Sequence, residues 1–495
     1  MTTMNKDLTG HLDFFFKPRS VAVVGASTNI FKWGSFLLVH MIHGKFAGNL
    51  YPVNPKESEI LGLKVYKSVK DIPGPVDLAL IIVPVKAVPG AIEDCIAKGV
   101  PAAVVITSGF SETGAQGREL EDKLMQRARE GGMRIIGPNT MGILSAAGNL
   151  SATGAPVFPH SGSVSMISQS GNLGTQMMAF AEDQGLGIQK FIGTGNEGDL
   201  DTCDLLDYLA QDPDTSVILL YMEGIDDGRR FLESARNASM RKPVIVLKAG
   251  RTDVGRKAAA SHTGALGGSK DIFEAAFRQT GVIQAGSPSE LIDLACSFAN
   301  LPLPQGNNIG VITLGGGWGV VTADECAEKG LLLPDLPDDL IRQMDERLPS
   351  YWSRGNPIDL VGVVDLEFFT TGLRGLANSE SFDAIITLGV VGTDLIVDRS
   401  ARLGAKYSDM VDEQMADFIS QDMANREFVF LSDVNRLIRK TGKPIVSVSL
   451  SGGSSRVHRI SDSEKVVVFP TPEKAVLALA KLYEYSRFRS RAQQA

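Results

Sequence analysis

The sequence has 495 residues, 43% of them hydrophobic, with 49 Lys and Arg against 57 Asp and Glu for a formal charge of −8. That length makes about three domains at roughly 150 residues each. The acidic balance, with a pI near 5.5, argues against nucleic acid or an anionic membrane as the main partner. Cys95, Cys203, Cys296 and Cys326 show no CxxC or His–Cys spacing, so neither a disulfide framework nor a zinc site is expected. No apolar run reaches the roughly 20 residues of a membrane helix, and the first twenty residues lack a signal-peptide core. A cytoplasmic protein is expected.

Taken in order, short apolar runs such as "SVAVVGAS", "VDLALIIVP", "SVILLYMEG" and "FDAIITLGV" each lead into a turn and a helical pattern. Near-continuous apolar strands are expected where helices cover both sheet faces, and strand–helix alternation predicts parallel, doubly wound α/β sheets. Small, polar, Pro- and Gly-bearing stretches at Ser145–Ser163 and Asn300–Asn308 divide the chain into 1–147, 148–299 and 300–495. Domains two and three open alike, on "SMISQSGNLG" and "GVITLGGGWG", which reads as a structural repeat.

In the first domain, Gly25 stands at a strand-to-helix turn, where backbone N–H groups favour an anion. The spacing is not GxGxxG, so a nucleotide site and a plain turn both remain open. The second strand ends in Asn54 and Lys56 where a nicotinamide site would place Asp or Glu. This suits a phosphorylated ribose, as in coenzyme A or NADP. Lys86 and Glu112 follow later strands and read equally well as ordinary surface charge. "RIIGPNTMGIL" closes the domain with a Gly-Pro-Asn turn.

In the second domain Ser168, Ser170, Gly171 and Asn172 can present amides and hydroxyls at a helix start, or simply cap it. Gly315, Gly316 and Gly317 repeat the device in the third. Glu223 ends an apolar strand, where a carboxylate can accept an imidazole N–H. His262 lies in "RKAAASHTGALGGSK" among small residues, after Arg251, Arg256 and Lys257. A mobile phosphoryl acceptor and a capping or core histidine both fit that setting. Residues from about 397 to 440 read as a solvated helical layer, acidic first and basic at its end.

These motifs resemble the nucleoside-diphosphate-forming acid–CoA ligase family, which includes ADP-forming acetyl-CoA synthetases and is related to succinyl-CoA synthetase. The resemblance rests on "GAS", "YPVNPK", "SGFSETG" and "GPN", then "SVSMISQSGNLG", "FIGTGNEGDLD", "YMEGI" and "AASHTGALGGS", then "TLGGGWGVVTADEC" and "NPIDLVG". It runs over about residues 13–395. It implies a Rossmann-like CoA-binding domain and two flavodoxin-like domains of the succinyl-CoA synthetase type. Gly25, Ser27, Asn54, Pro55, Lys56 and Lys86 would lie along coenzyme A. His262 would become phosphohistidine, stabilised by Glu223, with the two small-residue helix starts cradling the phosphoryl group.

The implied reaction interconverts acyl-CoA, ADP and phosphate with an acid, coenzyme A and ATP, through acyl phosphate and phosphohistidine. Thr140 stands where the family often has Cys after Gly-Pro-Asn. No ATP-grasp domain is recognisable, so the resemblance implies an α-subunit whose nucleotide and magnesium reside on a separate ATP-grasp β-subunit in an α2β2 assembly. Its small-molecule partner is an organic acid or acyl-CoA. The competing readings are a non-catalytic CoA- or acyl-CoA-binding regulator and an NADP-dependent oxidoreductase, the latter disfavoured by the absent GxGxxG.

Overall fold

Ser20–Val24 (β1) is buried at every position, as a strand covered on both faces must be. Residues 6–257, 270–362, 365–407, 412–449, 452–453, 455–461 and 464–494 are described by the structure, a computed structural model. The first sheet joins β1 to β2 (Asn49–Val53), and, beyond a hairpin of β3 (Glu59–Ile60) and β4 (Leu63–Lys64), to β5 (Leu78–Ile81), β6 (Ala102–Val105) and β7 (Arg134–Ile136). Its order is β2-β1-β5-β6-β7, parallel throughout. Side-chain alternation splits β1 between two cores. Val21 and Val23 pack with Phe15, Phe16, Leu37 and Leu38. Ala22 and Val24 pack with Val88, Ile92 and Leu124. Burying each of the larger of these side chains is worth roughly 1.5–3 kcal/mol.

The second sheet comprises β8 (Gly142–Ser145), β9 (Leu150–Thr153), β10 (Ser161–Ser168), β11 (Ile188–Gly193), β12 (Val217–Met222), β13 (Val244–Lys248) and β14 (Ile283–Gln284), in the order β14-β13-β12-β10-β11-β8-β9. Its five later strands are parallel. β8 is antiparallel to both β9 and β11, because the short β8–β9 link permits only a hairpin return. Ile143, Ala152, Ile167, Ile192 and Ile218 share one hydrophobic cluster with Val21 and Val23. The first two sheets therefore fall in one compact unit, Met1–Ile292, and Asp293–Ala495 forms the other.

In the second unit, β15 (Ile309–Thr313), β16 (Ile358–Asp359), β17 (Ala384–Leu388), β18 (Ile445–Val448), β19 (Arg456–Arg459) and β20 (Lys465–Phe469) are ordered β16-β15-β17-β18-β20-β19. Only β19 runs antiparallel, against β20. The segment read from sequence as helical forms helices Thr393–Tyr407 and Glu413–Thr441, joined by the Arg402–Asp417 ion pair and the Ser420–Asp398 hydrogen bond.

The three sheets share one permutation. Setting β19 and the β8–β9 hairpin aside, the spatial order is second, first, third, fourth, fifth strand in each. Such an order reverses direction beside the first strand, and ligands of open α/β sheets bind outside the carboxyl ends of the strands at that point. The fold thus marks three equivalent places to look: after β1, after β10 and after β15.

Candidate functional site

After β1 the chain turns at Gly25, with φ at +101°. A Cβ there would lie 2.2 Å from the carbonyl oxygen of Ile82, directly after β5. Glycine thus lets the exits of β1 and β5 close together, and no other residue could. Asn54, after β2, donates from Nδ2 to the carbonyl of Ala26 at 2.7 Å and accepts from the Lys56 N–H at 2.8 Å. Ser27 is half-buried and accepts from the Asn29 N–H. Pro55 and Lys56 are exposed, as is Lys86 in the single 3-10 turn after β5. Gly25, Ser27, Asn54, Pro55, Lys56 and Lys86 therefore share one carboxyl edge, spread along β2, β1 and β5. An exposed edge with two ammonium groups that have no ion-pair partner among the described residues, and a glycine-tight turn, fits an extended, phosphate-bearing molecule such as coenzyme A.

A cavity of about 440 Å³ opens where this edge meets the second sheet. Ile82, Ile106, Thr107, Asn139, Thr140 and Met141 line one part of it, and Gln169, Ser170, Gly171 and Asn172 another. Thr140 spends its hydroxyl inside the protein. It donates to the Gly193 carbonyl at 2.5 Å and accepts from the Gly142 N–H at 3.1 Å. At the helix start, Ser170 accepts from the Leu173 N–H. Ser168 is fully buried and donates to the Ser170 carbonyl at 2.7 Å, so its hydroxyl shapes the turn instead of facing the cavity. Gly171 is obligatory: its Cβ would sit 2.1 Å from Cγ of Met141. Asn172 is exposed. The first-turn amides of helix Gly171–Asp183 have no carbonyl partner within the helix and confer anion affinity on this wall.

Beside this turn stands Glu223, 7% exposed. Its Oε1 accepts from the Tyr221 hydroxyl at 3.2 Å. Its Oε2 is buried without a hydrogen-bond partner among the described residues. A buried carboxylate oxygen left bare costs about 1–3 kcal/mol or more. Burial, followed by the nearby Glu223 charge, pushes the Tyr221 hydroxyl above its ordinary range and keeps it a donor. His262 lies outside the described residues, as does the rest of 258–269.

The backbone of Glu223 is gripped from two sides. Gln169 Oε1 accepts from the Glu223 and Gly224 N–H groups, at 2.5 and 3.2 Å. Lys248, at the end of β13, donates from Nζ to the Glu223 carbonyl at 2.7 Å and stands over the Phe273 ring. Burial lowers the Lys248 pKa from its ordinary value. Gln169 Nε2 donates to Glu197 at 3.1 Å, and burial raises the Glu197 pKa. Glu112, which reads from sequence equally as a residue of the ligand edge or as surface charge, accepts from the Gly109 and Phe110 N–H groups and from Asn196 Nδ2. Gln169 and Lys248 were passed over in the sequence because one sits inside a small-residue turn and the other ends an apolar strand. No local spacing marks either.

In the second unit, β15 leads to Gly315, which caps helix Gly316–Glu328 in extended backbone with no side-chain cap. Thr313 Oγ1 donates to the Gly315 carbonyl and accepts from its N–H. A Cβ on Gly316 would meet Asp359 Oδ2 at 2.7 Å, whereas Gly317 faces open space. These first-turn amides carry no side-chain acceptor of their own, unlike those behind Ser170. The four cysteines are all buried and none is in a disulfide, and burial, followed by the Asp94 charge, pushes the Cys95 thiol up to about 12. Among the described residues no helix is long and apolar enough to cross a membrane.

Residues 19–146 match the model of a CoA binding domain, 161–298 that of a succinyl-CoA ligase like flavodoxin domain, and 309–491 that of a ligase-CoA domain. Together they define an acyl-CoA ligase chain of the succinyl-CoA synthetase type, and the match extends past residue 395, where the motif resemblance fades. The chain is 38% identical over 486 residues to the alpha subunit of the ADP-forming acetate–CoA ligase I of Pyrococcus furiosus, covering 97% of this chain and 99% of that one. It is 44% identical over 351 residues to the ADP-forming acetate–CoA ligase of Methanocaldococcus jannaschii, covering 71% of this chain and 49% of that longer one. The dinucleotide-forming acetyl-coenzyme A synthetase 1 of Ca. Korarchaeum cryptofilum, solved with phosphate and ADP, superposes with a TM-score of 0.83 at 36% identity, over 98% of each chain. The chain belongs to the ADP-forming acid–CoA ligase family, whose reactants are coenzyme A and ATP or ADP.

Proposed function

We propose that this chain performs the acyl and phosphohistidine steps of an ADP-forming acid–CoA ligase and hands the phosphoryl group to a separate ATP-grasp subunit. Domains 1–147, 148–299 and 300–495 divide the work in that order: coenzyme A binding, the histidine, and a second phosphoryl cradle. Gly25, Ser27, Asn54, Pro55, Lys56 and Lys86 hold the coenzyme along the carboxyl edge of the first sheet. Its thioester end reaches the cavity beside Ser170–Asn172.

There, an oxygen of inorganic phosphate attacks the thioester carbonyl. The C–S bond breaks, the thiol leaves, and acyl phosphate remains. The helix-start amides offset the charge on its phosphoryl oxygens. The His262 ring nitrogen then attacks phosphorus, and the carboxylate departs as the free acid. Glu223 accepts the N–H of the opposite ring nitrogen, fixing the tautomer and stabilising the charged ring. The phosphoryl group next passes to ADP, with the helix start at Gly315–Gly317 cradling it during this second transfer. All steps are reversible.

One observation carries this reading: the buried Glu223 Oε2 that no described group satisfies. ADP and magnesium are assigned to the ATP-grasp subunit, in an α2β2 assembly in the cytoplasm. The sequence kinship with an alpha subunit over nearly its full length supports the separate partner, while longer relatives of which this chain spans about half show that fusion also occurs.

The test is labelling. Incubated with the ATP-grasp subunit, magnesium and γ-labelled ATP, the chain should acquire an acid-labile, base-stable phosphoryl group. The adduct should be absent from His262→Ala. Equal labelling of that variant rules the assignment out.

A further inference from the structure

We propose that Gln169 is a positioning residue of the phosphoryl-transfer site. It fixes the Glu223 carboxylate relative to the helix start at Ser170–Asn172. The inference rests on the phosphohistidine reading above, and it assigns a role to a side chain that lies inside the "SVSMISQSGNLG" motif without a role of its own there.

Gln169 occupies the turn between β10 and helix Gly171–Asp183, and it lines the cavity. A primary amide has two acceptor sites and two donor hydrogens. All four are used here. Oε1 accepts from two successive N–H groups, of Glu223 and Gly224. Nε2 donates to the Gly224 carbonyl at 3.0 Å and to Glu197 Oε1 at 3.1 Å. The reversed amide would point its NH2 group at two N–H donors, so the partners dictate a single orientation. The Gln169 backbone N–H adds a bond to the Tyr221 carbonyl at 3.1 Å. Main chain and side chain of one residue therefore stitch the end of β12 to the turn after β10.

The consequence falls on Glu223. Its N–H is held by Gln169, its carbonyl by Lys248 and its Oε1 by Tyr221. Only Oε2 is left without a partner among the described residues. Such a carboxylate pays little ordering entropy when an imidazole arrives, because its geometry is already set. The residue that sets it is contiguous with the amides that receive the phosphoryl group. Glu197 anchors the far end through Thr202, whose hydroxyl donates to Oε1 at 2.6 Å. A glutamine placed only to fill space would not saturate its hydrogen bonds on the backbone of the catalytic carboxylate's own loop.

The experiment is a double-mutant cycle on the holoenzyme, reading the single-turnover rate of phosphohistidine formation from ATP and magnesium. Gln169→Ala should slow labelling by roughly 10- to 100-fold, as misplacing a catalytic group does. Its KM for ATP and its thermal shift with coenzyme A should be unchanged. Glu223→Gln should lose a similar factor. The pair Gln169→Ala/Glu223→Gln should be no slower than Glu223→Gln alone, since both act through one carboxylate. Multiplicative losses in the double variant, or a Gln169→Ala rate within about twofold of wild type, overturn the inference and leave the phosphohistidine reading standing. Equal labelling of His262→Ala instead overturns both. Should Gln169→Ala melt early, Gln169→Met keeps the volume and removes the four bonds, and the same cycle applies.

Discussion

The absent Cβ of Gly25 would lie 2.2 Å from the carbonyl oxygen of Ile82. This contact joins the exits of β1 and β5 at the switch point of the first sheet. Gly25→Ala must both adopt a φ of +101° and push that carbonyl away. We expect it to cost about 1–3 kcal/mol in stability and to weaken coenzyme A binding by about tenfold, equivalent to about 1.4 kcal/mol. Isothermal titration with coenzyme A and a urea melt separate the two effects. Full-strength binding by the variant would remove the turn from the coenzyme site.

Lys190 and Asp212 form an ion pair at 2.6 Å with side chains 0% and 1% exposed. Asp212 also accepts from the Thr215 hydroxyl at 2.5 Å, and Thr215 meets Ser165. Burial pushes the Asp212 carboxyl up, but the bonds from Lys190 and Thr215 outweigh it and hold the group below its usual range. Removing one partner should strand a buried charge: Lys190→Met is expected to cost about 3–5 kcal/mol. Lys190→Met/Asp212→Leu should regain most of it. Chemical denaturation of the four proteins of the cycle measures this, and a double variant as weak as the single would refute the stranded-charge account.

Thr140 keeps its hydroxyl on Gly193 and Gly142. Thr140→Val preserves shape and deletes both bonds, which should destabilise by about 1–3 kcal/mol. Coenzyme A affinity should not move, because the hydroxyl is turned away from solvent into the chain. A loss of affinity without a loss of stability would instead place the hydroxyl on the ligand.

Glu112 ties the loop after β6 to Asn196. Burial raises its pKa, but the bonds from Gly109, Asn196 and Phe110 more than reverse this, and the folded value is lowered. A depressed folded pKa stabilises above the unfolded value, near 4.3, and that stabilisation fades as pH falls through the folded one. Glu112→Gln should therefore melt lower than wild type at pH 7, on the order of 2 °C. The gap should close on acidification below about pH 4. Melting curves from about pH 3 to about pH 8 check it, and a gap that widens in acid would reverse the sign.

Much of this architecture is legible in the chain. Buried strands such as Val217–Met222 and Val244–Lys248 announce themselves as unbroken apolar runs, and Gly25 and Gly171 stand where a side chain would collide. The antiparallel hairpin of β8 and β9 escapes because strand direction belongs to pairing and not to composition. Ser168 looks like a ligand hydroxyl in the motif, yet folding turns it onto Ser170.

By itself, then, the sequence determined three strand–turn–helix units, their glycine-marked turns, and Glu223 and His262 as the candidate carboxylate and imidazole. Apolar runs and glycines act over a few residues, so they can be read in order. Tertiary structure alone decided which strand lies beside which, that the first two sheets share a core, and that Gln169 grips Glu223 across 54 residues of chain. A hydrogen bond over such a separation has no local signature. It exists only once β10 and β12 lie side by side and desolvation obliges each buried amide to find a partner.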